Sequence, residues 1–185
     1  MFRIIAGRKK IDTFVWIKHR HNKEKNMSNW FECKVKFDRM MENGIQKKVT
    51  EPYMVDALSF TEAEARIIKE MTPFISGDFS VANIKRVNIS ELFFDETGDK
   101  WYKCKVNFIT LDEKSGAEKR TAAYMLAQAP DLQKALANLL EGMKGTMADY
   151  EVAAVTETAI MDVFPYAVDE GPVSVADHPD LAPQE

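Results

Sequence analysis

From residue 30 the chain alternates apolar and polar side chains. Phe31, Cys33, Val35 and Phe37 are separated by Glu32, Lys34 and Lys36, the period of a strand with one buried face. The same rhythm returns at Tyr102, Cys104, Val106 and Phe108. Met41-Glu42-Asn43-Gly44 follows the first run and Asp112-Glu113-Lys114-Ser115-Gly116 the second. Both are turn sequences, because Asn and Gly tolerate positive φ. Second strands then run to Val55 and to Leu126, so each stretch predicts a β-hairpin.

A helical period follows each hairpin. Ser59 or Thr61 is a candidate N-cap, with Glu62 or Glu64 three residues on to close a capping box. Phe60, Ala63, Ile67 and Met71 then share one face, and Pro73 ends the helix. In the second stretch Pro130 suits a first helical turn. Leu132, Ala135, Leu136, Leu139, Leu140 and Met143 make the apolar stripe, and Gly142 and Gly145 stand where a left-handed cap is needed. A third, longer strand is predicted over about 79–94 and again over about 150–164. Asp95-Glu96-Thr97-Gly98-Asp99 reads as a tight, solvated turn between the two stretches.

The two stretches are alike in sequence as well as in rhythm. WFECKVKF at residues 30–37 and WYKCKVNF at 101–108 share five of eight positions at an offset of 71. The same offset pairs Lys48 with Lys119, Tyr53-Met54 with Tyr124-Met125, Asp78 with Asp149 and Phe93 with Phe164. One register held without a gap across four elements predicts a duplicated ββαβ unit, about 30–95 and 101–166. The expected fold is α+β: one mainly antiparallel six-stranded sheet with two helices on one face.

Charge is unevenly spread along the chain. Residues 1–26 carry eight Lys or Arg against Asp12 and Glu24, while 167–185 carry five acids and no Lys or Arg. The acidic tail is read as disordered. The basic stretch has two readings: an upstream extension, with Met27 as the natural start, or an arm that helps to bind a polyanion. Residues 27–166 hold 17 bases and 22 acids, which argues against a globally basic nucleic-acid binder. No apolar run approaches the roughly 18 residues of a membrane span, and the first apolar run is too short for a signal peptide. With Cys33 and Cys104 as the only cysteines, free thiols in a reducing cytoplasm are expected rather than a disulfide framework or a zinc site.

Candidate chemistry is sparse. The three histidines are His19, His21 and His178, all outside the repeated stretch, so a histidine-based triad is not available there. No phosphate-loop or dinucleotide fingerprint occurs, and neither an enzyme nor a cofactor is expected. Cys33 and Cys104 read as small core residues, with a redox pair as the functional alternative. Glu91 and Asp162 occupy equivalent positions on a predicted apolar face. They read as a strand end that reaches water, or as a carboxylate pair for a cation or for acid–base work.

The face opposite the buried strand residues is more informative. Trp30, Lys34 and Lys36 point that way from the first strand, as do Trp101, Lys103 and Lys105 from its counterpart. Lys48, Lys119 and Arg120 are added from the second strands. Rings for bases to stack on and cations for phosphates are how single-stranded nucleic acid is held, so these nine residues form the predicted site. The plain alternative is that both tryptophans are packed, covering a core end or a repeat interface. The competing functional class is a protein–protein module, such as an inhibitor, adaptor or assembly factor, working through its sheet or an edge strand.

Two segments add a resemblance. Thr50-Glu51-Pro52-Tyr53-Met54-Val55-Asp56-Ala57-Leu58-Ser59-Phe60-Thr61-Glu62-Ala63-Glu64-Ala65-Arg66, with Trp30-Phe31-Glu32-Cys33-Lys34-Val35, resembles a domain-of-unknown-function family of gut anaerobic bacteria and their phages. The resemblance covers about 30–166 and implies a phage or mobile-element context. It transfers no functional residue.

Overall fold

The first hairpin forms where alternation predicts it. In a computed structural model that describes residues 29–112 and 116–166, β1 (Asn29–Met40) pairs antiparallel with β2 (Gln46–Ala57). Phe31, Cys33 and Val35 are buried on one side. Helix α1 (Phe60–Met71) follows, with Ser59 as N-cap. The Ser59 hydroxyl accepts from the Glu62 amide at 3.2 Å, while the Glu62 carboxylate accepts from the Leu58 amide at 2.7 Å, so the predicted capping box forms with its carboxylate reaching one residue before the N-cap. The strand β3 (Phe79–Val87) then pairs with β1 on its other side. The second half repeats the order with β5 (Lys100–Leu111), β6 (Glu118–Ala129), α2 (Leu132–Gly142) and β7 (Asp149–Glu157). Here Asp131 is the N-cap, so Pro130 lies just outside the helix rather than in its first turn.

The predicted long third strands are broken. After β3 the chain leaves its sheet, and β4 (Glu91–Phe93) lies parallel to β6 of the second half. After β7, β8 (Val163–Phe164) returns to lie parallel to β2 of the first half. The single six-stranded sheet is therefore replaced by two mixed four-stranded sheets, β3-β1-β2-β8 and β4-β6-β5-β7. Each helix covers one face of its own sheet. The exchange is driven by packing on both sides of each short strand. Leu92 faces the space between the sheets while Phe93 enters the core under α2; Val163 and Phe164 divide in the same way, between the inter-sheet space and the core under α1.

Three cores result. Phe31, Cys33, Val35, Tyr53 and Val55 pack under Ala63, Ile67 and Met71 of α1. Tyr102, Cys104, Val106, Met125 and Ala127 pack under Ala135, Leu139 and Met143 of α2. Between the helix-free faces lies the third, built from Trp30, Met54, Leu92, Trp101, Leu126 and Val163.

The gapless offset does not survive. Asn29 faces Ala57 in the first hairpin, whereas Lys100 faces Ala129 in the second. β1 and β5 correspond at an offset of 71, but β2 and β6 correspond at 72, because the second turn is one residue longer. The helices follow at 72, with Ser59 answering Asp131 and Ile67 answering Leu139. The offset returns to 71 in β3 and β7, whose register shifts fall at Lys34/Val35 and Lys105/Val106. A slip of one residue moves a strand's side chains to its other face. Tyr53 is thus buried under α1, while Tyr124 lies on the helix-free face across from Lys105.

Candidate ligand-binding face

Register decides which of the predicted residues share a surface. Residues opposite one another in a ladder point the same way. Lys34, Lys36 and Lys48 share the helix-free face of the first sheet, through the pairs Lys34–Pro52, Lys36–Thr50 and Asp38–Lys48. Lys103, Lys105 and Arg120 share that of the second, through Lys103–Leu126, Lys105–Tyr124 and Ile109–Arg120. Lys119 does not join them. It faces Thr110, on the same side as the core residue Phe108, because the longer turn makes Arg120, not Lys119, the counterpart of Lys48.

Trp30 and Trp101 lie on the expected face, in the packed setting that is the plain alternative to a stacking role. They are only 2% and 1% exposed, and both belong to the inter-sheet core. Phe94 meets Trp101 edge-on, with centroids 5.4 Å apart. Where the strands begin, the two helix-free faces meet, and the rings fill the space between them. They are packing groups between the sheets, not platforms on which a base could stack.

Further along the strands the faces open to solvent. Lys34, Lys36, Lys48 and Lys103 are exposed and Lys105 is half-buried. Arg120 is engaged, ion-paired to Glu151 at 3.0 Å, and the same carboxylate accepts from the Asn107 amide at 2.9 Å. Lys103 places its ammonium 4.5 Å from the centre of the Tyr124 ring, a cation–π contact. Lys34, Lys36, Lys48 and Lys105 form no ion pair among the described residues. Where the faces converge there is a cavity of about 240 Å³. Lys34 and Glu32 line it from the first sheet and Lys103 from the second, over Pro52, Met54, Leu126 and Ile160.

The other candidates are not brought together. Cys33 and Cys104 lie in separate cores. Burial pushes their thiols up to about 12 and about 11, which disfavours the reactive thiolate. Glu91 opens β4 on the second sheet, whereas Asp162 precedes β8 beside the first, its carboxylate accepting from the Val163 amide at 2.7 Å. No cluster of three or more metal-ligating side chains occurs among the described residues. Asp95 is more than a solvated turn residue, since its carboxylate accepts from the Thr97 amide at 3.0 Å and from the Asn138 amide at 2.8 Å. The basic stretch 1–26 and the acidic tail lie outside the described residues.

Sequence reasoning missed Lys85 and Tyr124 as parts of this face, while Glu32 lies on it as the alternation requires. Lys85 sits opposite Glu32, and a β1–β3 pairing register would have been needed to find it. No curated protein and no solved structure matches the chain. A family model described as Domain of unknown function (DUF4494) matches residues 29–166. No helix among the described residues is long and apolar enough to cross a membrane.

Proposed function

The chain belongs to the DUF4494 family, and from that premise we propose that it is a non-enzymatic binding protein that holds single-stranded nucleic acid along the helix-free faces of its two sheets. One observation carries the reading: Lys34 and Lys103, from different sheets, line a common cleft with an apolar floor. Lys36 and Lys105 continue the cationic track on either side. Attraction to phosphates is thereby combined with a surface that favours an uncharged base. With Trp30 and Trp101 buried, the contact along these faces is mainly electrostatic. The phage or mobile-element context implied by the sequence resemblance suits such a protein.

The likeness of the halves supports a common origin. Element order, strand register around β1 and β5, and the bulge at Ala82 and at Ala153 all recur. Duplication of one ββαβ unit accounts for that recurrence.

Titration of labelled single-stranded DNA and RNA with the full chain at two salt concentrations tests the function. Binding should weaken steeply with salt. Replacing Lys34, Lys36, Lys103 and Lys105 by Glu should flatten the logarithmic salt dependence by a slope of about 3, at roughly 0.7 per lost phosphate contact on a single strand. No binding at low salt would overturn the reading. It would favour a protein–protein module instead, for which α2 offers one specific feature: Leu132, Leu136 and Leu140 form an exposed row at helical spacing, 50%, 36% and 43% accessible.

A further inference from the structure

The cleft between the sheets has the shape and chemistry of a subsite rather than of a uniform track. At about 240 Å³ it falls below the range of about 300–1,000 Å³ typical of drug-sized ligands. It therefore suits one ring-sized group rather than a dinucleotide or a long side chain. Its floor is apolar, made by Pro52, Met54, Leu126 and Ile160. Lys34 and Lys103 supply positive charge, and Glu32 supplies a carboxylate. Glu32 is half-buried, accepts no hydrogen bond and joins no ion pair among the described residues. Thr158 also lines the cleft, but its hydroxyl is engaged, donating to the Trp101 carbonyl at 2.8 Å. Among the described residues Glu32 is thus a carboxylate of the cavity that no hydrogen bond or ion pair engages.

The cavity also has a structural origin. Pro52 stands across from Lys34 in the first sheet, where the second sheet has Tyr124 across from Lys105. The Tyr124 ring lies under the Lys103 ammonium. Proline carries no such ring, and space remains on its side.

We infer that this cleft takes a single unstacked base bearing an exocyclic amino group, with cytosine preferred, while Lys34 and Lys103 meet the adjoining phosphates. The inference rests on the single-strand reading above and names its specificity. Glu accepts from the cytosine N4 amino group. Thymine and uracil present a carbonyl oxygen at that position, which a carboxylate repels.

The test compares the full chain's binding to oligo(dC) and oligo(dT) of equal length at one salt concentration. Oligo(dC) should bind at least about fivefold more tightly, the lower end of what one good base-edge contact supplies. The ratio is the readout, so a variant that merely weakens all binding does not imitate the effect. Glu32→Gln should bring the ratio towards one, because an amide can donate to the thymine carbonyl as well as accept from cytosine. Pro52→Tyr, which installs the side chain that the other sheet carries at this position, should fill the cleft and abolish the preference. Equal binding of both strands by the unaltered protein overturns the inference and leaves the single-strand reading standing. Binding of neither strand overturns both. A ratio that survives both substitutions moves the specificity out of this cleft and overturns the inference.

Discussion

Arg66 and Asn138 occupy the same place in the two halves and perform the same task with different chemistry. Arg66, on α1, donates to the Asp56 carbonyl at the end of β2 and to the Pro165 carbonyl just beyond β8, the latter at 3.1 Å. Its guanidinium lies 4.8 Å from the centre of the Tyr166 ring. Asn138, on α2, donates to the Gln128 carbonyl at the end of β6 at 3.0 Å, and to the Asp95 carboxylate just beyond β4 at 2.8 Å. Each side chain ties helix, hairpin and incoming short strand together. A long cation reaches a carbonyl and a ring in one half. In the other, a short amide suffices because Asp95 brings its carboxylate to it. The constraint lies on the junction rather than on the residue type: where a strand arrives from the other half, something must satisfy the polar groups at its exit.

The largest test of this comparison lies between the sheets. Trp30→Ala and Trp101→Ala should each cost about 3–5 kcal/mol, as large-to-small changes in a core do. Equilibrium urea unfolding measures this, and a strongly unequal pair would show that the halves do not share the interface evenly. At the junctions, Arg66→Ala should cost about 2–3 kcal/mol, since charged hydrogen bonds are lost and carbonyls stripped. Asn138→Ala should cost about 1–2 kcal/mol by the same measurement. A larger loss at Asn138 would reverse the ranking drawn here.

A smaller effect separates the helix ends. A Cβ on Gly142 would stand 2.0 Å from the Phe93 ring, although Ala is ordinarily better than Gly in a helix by about 1 kcal/mol. The overpacking cost of about 1–3 kcal/mol should win, leaving Gly142→Ala destabilised by about 1 kcal/mol. Glu70→Ala, at the matching position of α1, should stay within about 0.5 kcal/mol. A stabilised Gly142→Ala in thermal melts would mean that Phe93 yields.

The smallest effect is one of pH. Burial by itself would raise the Asp95 carboxyl, but hydrogen bonds from Thr97 and Asn138 and the Lys134 charge together hold it below its ordinary 3.8. A group depressed on folding contributes stability that is full above its unfolded value and is lost as pH falls through its folded value. Asp95→Asn should therefore weaken the protein near neutrality and flatten the acid limb of its stability profile below about pH 4. The first half has Tyr166 at the matching position and no such term, so an unchanged acid limb would remove this distinction.

The legible parts of the fold were those set by local pattern. Phe31, Cys33 and Val35, and likewise Tyr102, Cys104 and Val106, are buried as their alternation requires. Ser59 and Glu62 cap α1 as their spacing requires. The site was less legible. Lys34, Lys36, Lys103 and Lys105 lie on the predicted face, but Lys119 was assigned to it by an offset that ignored one extra turn residue. The tryptophans were assigned to it without the second sheet that covers them. Periodicity reports which side of a strand a residue occupies; it carries no information about what lies against that side.

The two hairpins, the two helices and the Ser59 cap were therefore determined by the sequence itself, because each depends on neighbours a few residues away. The exchange of β4 and β8 between sheets, the burial of Trp30 and Trp101 between the sheets and the cleft beside Pro52 were decided only in the tertiary structure. Each depends on residues about 30 to 130 positions apart in the chain, whose meeting is worth its entropy cost only once both sheets have formed.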